Sequence, residues 1–273
     1  MTSFTSPIRR RAGLRLLAGG LCLAAAGLAS AQSTQTQTPS QTPAPAPRRI
    51  AVISLLGNTI HVVMQTSVTG THMDRNGRES FVVPGNLFDL AALGAANEAL
   101  LQADPKAAVI PLKLPSAEMF GDTGKLFEAD KFVMPTALAP VLKQVSASHL
   151  LVITPLRAPT RVRTLRETMG SGSLEGLGYY LDYQSAMRGG DKDERRIGFL
   201  APYTYFKLRL VDAATGAVLG ERPVAIAESM MTRRPEGIAD PWEALTSIEK
   251  VTVLRDQLTE RVKAAVPVLL AQP

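Results

Sequence analysis

Cysteine is almost missing from this chain. Cys22 is the only one in 273 residues, and it lies inside an N-terminal apolar run. Downstream of it there is no disulfide framework, no thiolate metal site and no cysteine nucleophile, so stability rests on a hydrophobic core. Histidine is nearly as scarce: His61, His72 and His149 form no HExxH or other short metal signature. Nothing after His149 supplies the late histidine of a serine hydrolase, and no G-x-S-x-G elbow occurs. Aromatic residues make up 5% of the chain, so Leu, Val, Ile and Ala must fill the interior.

The excess positive charge is smaller than the formal +6 suggests. Arg9, Arg10, Arg11 and Arg15 belong to an N-terminal segment with no acid. An apolar run, Leu16 to Leu28, follows them, and Ala29-Ser30-Ala31 places small residues where a signal peptidase reads. We expect residues 1–31 to be a cleavable signal peptide and the working protein to begin at Gln32, in the periplasm or secreted. The apolar run falls short of the roughly 20 residues of a membrane-spanning helix. Arg10-Arg11 lacks the bulky residue that follows a twin-arginine pair, and Leu21 stands before Cys22 where a lipoprotein signal has a small residue. Four of the 30 basic residues and none of the 24 acidic ones leave with the signal, so 26 face 24. A near-neutral chain without a basic cluster gives no case for nucleic-acid binding. The mature chain has no transmembrane segment.

Residues 32–48 alternate Gln, Thr, Ser and Pro, ending in Pro43-Ala44-Pro45-Ala46-Pro47; this composition predicts a disordered linker. Order begins at Arg49. Ile50–Leu56 is a continuous apolar run, as in a strand buried on both faces. Gly57-Asn58 and Thr59–Met64 after it predict a hairpin. Residues 67–86 read as a long polar loop, Phe88–Leu101 as a helix, and Ala107–Leu112 as a strand that Pro111 confines to an edge or bulge. Lys125–Val145 reads as helical, broken by Pro135 and Pro140. His149–Thr154 predicts a fourth buried strand, with His149 as a structural hydrogen-bonder. Tyr203–Leu210 reads as a half-exposed strand that returns antiparallel through Val218–Ile226 after a turn at Gly216. Asp240-Pro241-Trp242-Glu243 predicts a helix start, with an apolar stripe through Trp242, Leu245, Ile248, Leu254, Leu258, Val262 and Val266.

Residues 157–196 lack periodicity and read as an irregular insertion. They hold the chain's best candidates for partner contact. Arg157, Arg161, Arg163 and Arg166 suit an anionic glycan or lipid surface or an envelope protein. Tyr179, Tyr180 and Tyr183 follow among glycines, and tyrosine gives contact area with a polar tip. Asp191 and Asp193 sit in a mixed charge run that solvates a loop. A metal site would draw on His61, His72 and Asp74, since imidazole and carboxylate together hold a divalent ion; their spacing is generic. Gly121-Asp122-Thr123-Gly124-Lys125 fails as a phosphate loop, with two residues between its glycines and Leu126 after the lysine. Gly57-Asn58-Thr59 has threonine where an esterase Gly-Asp-Ser block needs serine.

Arg49–Leu56, Ser148–Thr154 and the strand-turn-strand Leu208-Arg209-Leu210-Val211-Asp212-Ala213-Ala214-Thr215-Gly216-Ala217-Val218 resemble the TolB N-terminal domain and the CsgG family. Leu174–Tyr180 and the Pro241–Thr246 segment are similar to exported proteobacterial proteins. The resemblance implies an α/β domain without enzymatic activity, and no site residue comes with it. The chain departs from CsgG in having no lipobox cysteine, which argues against outer-membrane anchoring of that kind.

These readings give an α/β fold: a mixed β-sheet flanked by helices, in a single domain over 49–273. They imply a non-catalytic binding or envelope-assembly factor without a cofactor. A small metal-dependent or serine-type hydrolase is the alternative.

Overall fold

The computed structural model describes residues 47–66, 74–114, 123–165, 167–189, 194–230 and 240–272. The expected signal peptide and nearly all of the linker lie outside them.

The organising element is one long strand, β12 (Glu194–Asp212). One edge of it pairs with β13 (Val218–Glu228), through the turn at Gly216, as expected. Its other edge is shared end to end by two strands running the same way. β7 (His149–Pro155) pairs with Phe206–Asp212, and β11 (Ser173–Gly189) pairs with Glu194–Tyr205. Each carries a neighbour in parallel: β1 (Arg49–Ser54) lies beside β7, and β2 (Thr59–Met64) lies beside β11. β1 and β2 therefore continue in one direction and cannot pair with each other. The hairpin expected at Gly57-Asn58 is not formed. The break is held from outside, by the Asp89 carboxylate, whose Oδ1 accepts from Ser54 Oγ (2.6 Å), Leu56 N (3.0 Å) and Gly57 N (3.3 Å).

Edge strands complete an 11-stranded mixed sheet. β4 (Ala108–Pro111) pairs only with β1, so Pro111 does end up at an edge. β3 (Gly77–Val82) pairs with β2, which puts a strand inside the segment expected to be loop. Its side chains are almost all exposed, and an edge strand with no buried face gives no apolar alternation to read.

The largest correction concerns residues 157–196. Their described residues are not irregular. They contain β8 (Arg157–Pro159), β9 (Val162–Arg163), β10 (Thr168–Met169), β11 and the start of β12. Bulges and glycines hide the period. The β11–β12 register shifts between Asp182 and Ala186, where buried Asp182 accepts from Gln184 N, Ser185 N and Ser185 Oγ at 2.6–2.8 Å. Tyr203–Leu210 is likewise mostly buried rather than half exposed, because both faces of β12 are covered.

On one face lie α1 (Leu87–Ala103) and α3 (Ser247–Leu270). α1 buries Phe88, Ala92, Leu93, Ala95, Ala96, Ala99 and Leu100. α3 starts at a capping box of Thr246 and Glu249, later than expected. Asp240 and Pro241 instead cap a separate 3-10 turn, Pro241–Ala244. Leu254, Leu258, Val262 and Val266 form the buried stripe as expected, whereas Ile248 is 80% exposed in the first turn. The other face has two covers. Beneath β1 and β7 sit α2 (Leu138–Gln144) and the small hairpin of β5 (Phe127–Glu128) and β6 (Lys131–Phe132). The continuous helix expected over Lys125–Val145 is reduced to α2 and the turn Thr123–Leu126, since the hairpin and Pro135 interrupt it. Beneath β2, β11 and β12, Leu156, Ala158, Val162 and Met169 close a core with Tyr180, Tyr203 and Tyr205. Pro45–Pro273 form one compact unit. Among the described residues no helix is long and apolar enough to cross a membrane.

Candidate functional site

The three expected recognition tyrosines do not share a surface. Tyr179 and Tyr180 are neighbours on β11, so they point to opposite faces, and both are fully buried. Tyr179 enters the α1/α3 core and donates to the Lys250 carbonyl at 2.7 Å. Tyr180 enters the opposite core, donates to Gln65 Oε1 at 2.5 Å and accepts from Ser171 N at 3.1 Å. Neither can meet a partner. Tyr183 is 45% exposed; burial, with the Asp240 carboxylate beside it, pushes its phenol above the ordinary range. Of the arginines, Arg157, Arg161 and Arg163 are exposed, and Arg166 lies outside the described residues. Arg157 Nε donates to Ser173 Oγ at 3.2 Å, and Arg163 pairs loosely with Glu228 at 4.0 Å.

His61 and Asp74 go to different partners. His61 Nδ1 lies 2.9 Å from Ser80 Oγ. Burial holds its pKa below the ordinary value, partly opposed by Glu175. Asp74 Oδ2 takes Arg78 Nη2 at 2.6 Å and the Ser173 N–H and hydroxyl at 3.0 Å each. Burial disfavours its charge, but these bonds outweigh that and keep the carboxyl below its usual range. They fasten the residues before β3 to the start of β11. His72 lies outside the described residues, and no group of three metal-binding side chains occurs among the described ones.

Ser148, His149 and Asp212 meet at the end of β7 and β12, and superficially suggest a triad. Their bonds give a different account. Ser148 Oγ lies 2.9 Å from His149 Nδ1 but is tied to the Arg49 backbone, accepting from its N–H at 3.0 Å and donating to its carbonyl at 3.2 Å. Asp212 Oδ1 is occupied by Ala214 N, Thr215 N and Thr215 Oγ1 at 2.8–3.1 Å, as a turn-forming acid. The hydroxyl is a brace between β1 and β7, and His149 is the structural hydrogen-bonder that its position implied.

Beside this brace opens a cleft of about 890 Å³. Its walls are α2, the β5–β6 hairpin and the turn from β12 to β13. The floor is apolar: Phe132, Met134 and Leu142, with Val133 exposed at 41%. The hairpin is pinned in place. Phe132 N donates to the Gly216 carbonyl at 2.7 Å, Val218 N donates to the Asp130 carbonyl at 2.9 Å, and the Arg209 guanidinium lies 4.0 Å from the Phe127 ring centre. Gly216 (φ +74°) is required, since a Cβ there would sit 2.8 Å from the Phe132 carbonyl oxygen.

The far wall carries strain. α2 ends in a Schellman motif: Ala147 N donates to the Leu142 carbonyl and Ser146 N to the Lys143 carbonyl, each at 3.0 Å. Ser146 holds the left-handed position (φ +50°) that glycine usually fills. Ala129, which turns the β5–β6 hairpin, is at φ +51°. Among the described residues these are the two non-glycine residues with positive φ; Ser146 lines the cleft, and Ala129 turns the hairpin that forms one of its walls. The Arg49 guanidinium donates twice to the Val145 carbonyl (2.9 and 3.1 Å) and completes the helix end. Lys131 and Lys143 line the cleft, and neither pairs with a carboxylate among the described residues. Sequence reasoning missed Lys131, Lys143 and Ser146. The only signal was Pro135 and Pro140, which mark a short helix with exposed ends.

No protein-family model matches the chain, and no curated protein matches it. Solved structures do, faintly. A PelC dodecamer from Paraburkholderia phytofirmans is similar at 11% identity and TM-score 0.29, over 83% of this chain and 86% of that one. A neuraminyllactose-binding hemagglutinin homolog from Helicobacter pylori is similar at 7% and 0.35, over 85% and 87%. A DUF330 protein from Xanthomonas campestris is similar at 12% and 0.35, over 84% and 90%. At these scores the likenesses assign no family and no function. They lend no support to the TolB and CsgG resemblance.

Proposed function

We propose that this chain is an exported, non-catalytic binding protein of the cell envelope, and that the cleft between α2 and the β5–β6 hairpin is its ligand seat. One observation carries the reading. The cleft combines an apolar floor with two lysines that pair with no carboxylate among the described residues, on walls whose two left-handed, non-glycine residues are held against their preference. Strain of this kind persists where the surroundings impose it, and it gathers at ligand sites. The volume falls in the range of small-molecule sites, about 300–1,000 Å³. Export rests on the composition of residues 1–31. The arginines of 157–163 offer a second, weaker surface for an anionic partner.

Anilinonaphthalene sulfonate, titrated into the protein purified after export, tests this. We expect saturable fluorescence enhancement at one site, abolished by Ala139→Trp, which fills the cleft from its α2 wall. Near-UV circular dichroism checks that the variant stays folded. Absence of binding, or equal binding by the folded Ala139→Trp variant, refutes the assignment. Sequencing the exported protein's N-terminus tests the localisation: a start at Gln32 supports it, and an intact Met1 overturns it.

A further inference from the structure

We infer that the ligand is a single-chain anionic amphiphile, with its acidic head between Lys143, Ser146 and Lys131 and its apolar chain along Val133, Met134 and Ala139. This rests on the cleft being the ligand seat and names what that seat takes.

The charge pattern selects the head. Two ammonium groups stand on separate walls of the cleft. Lys143 is in the last turn of α2, and Lys131 is on β6. The single acid among the lining residues is Glu128, exposed and across the hairpin from Lys131, with no ion pair to it. Asp212, next to the lining turn, is consumed by its own hydrogen bonds. Arg49 adds a third cation behind the same helix end and quenches the Val145 carbonyl, which would otherwise repel an anion.

Ser146 supplies a second, independent observation. Glycine would relieve the left-handed strain at this Schellman position. Serine stands there instead, an exposed residue of the cleft lining whose hydroxyl makes no hydrogen bond among the described residues. A hydroxyl and ammonium groups are the donors that a phosphate or carboxylate accepts from. Val133, 41% exposed, and the partly exposed Met134 then leave apolar surface in the cleft that a small inorganic anion alone would not cover, above Phe132 and Leu142, which the core already buries.

Calorimetric titration of the exported protein with dodecyl phosphate, dodecyl maltoside, dodecyltrimethylammonium and inorganic phosphate, all as monomers, tests this. Dodecyl phosphate should bind at least tenfold tighter than the neutral or cationic amphiphile and than inorganic phosphate. The double variant Lys131→Gln/Lys143→Gln should lose that preference while keeping the dodecyl maltoside affinity. Equal affinity for all three head groups, or an unchanged preference in the double variant, overturns the anionic assignment and leaves the ligand seat standing. Inorganic phosphate binding as tightly as dodecyl phosphate overturns the amphiphile. No binding by any amphiphile or by anilinonaphthalene sulfonate sinks both readings. Anionic vesicles separate sources: binding to the vesicle surface without competition by dodecyl phosphate would assign the lysines to a membrane and refute the monomeric ligand.

Discussion

Replacing Asp89 by asparagine separates its charge from its hydrogen bonds. All three donors at the break between β1 and β2 converge on one oxygen, Oδ1: Ser54 Oγ, Leu56 N and Gly57 N. An amide carbonyl can take the same three. Burial raises the Asp89 pKa, and the three hydrogen bonds only partly offset it. Neutral bonds are weaker than charged ones by about 1 kcal/mol each, and asparagine also loses the interaction with the α1 N-terminus, about 0.3–1 kcal/mol. Removing a partly desolvated charge works the other way. We expect Asp89→Asn to lie within about 1 kcal/mol of the parent at pH 7. Asp89→Ala leaves two N–H groups and a hydroxyl without an acceptor and should cost about 2–4 kcal/mol. The pH dependence has a fixed sign. A carboxyl whose folded pKa lies above its unfolded value binds a proton more readily when folded. Its contribution is therefore complete below the unfolded pKa of about 4 and is lost as pH rises through the folded value. The asparagine variant has no such group, so it should gain on the parent across that window and then run parallel. Urea unfolding of parent and both variants between pH 4 and pH 8 measures this. An asparagine variant as unstable as the alanine one, or a difference independent of pH, would refute the argument.

Three further predictions follow from local geometry. A Cβ on Gly178 would sit 1.9 Å from the His61 carbonyl oxygen and 2.7 Å from Tyr203 Oη, so Gly178→Ala must split β2 from β11; we expect a loss above about 3 kcal/mol in urea unfolding, and a loss under 1 kcal/mol would contradict the pairing. Ser146→Gly should stabilise the chain by about 0.5–1 kcal/mol by relieving the Schellman position, read as a rise in the thermal midpoint, and a fall would show that the strain is not there. All five tyrosines are shifted upward by burial, Tyr179 and Tyr203 most strongly. Their folded pKa values exceed the unfolded value of about 10, so stability is lost as pH rises past it. Absorbance at alkaline pH should show Tyr179 and Tyr203 ionising only together with unfolding, and ionisation in a folded protein, followed by circular dichroism, would count against their burial.

The sequence alone carries the elements that bury a regular face. Ile50–Leu56, His149–Thr154, the α1 segment and the Leu254–Val266 stripe repeat apolar residues at the spacing of a strand or a helix, and each forms as read. It also set the thiol-free core and the turn at Gly216. Which strand lies beside which follows instead from long-range packing. β1 and β2 are adjacent in the chain and look like a hairpin, yet each is captured by a strand about 100 residues away, because β12 is long enough to hold β7 and β11 end to end. The same long-range pairing made strands of the described residues within 157–196 and turned Tyr179 and Tyr180 inward. The cleft is of this second kind. Lys131, Lys143, Ser146 and Gly216 lie up to 85 positions apart, and no local pattern joins them. They meet because Phe132 N–H finds the Gly216 carbonyl and α2 is stopped by a serine in a glycine's place.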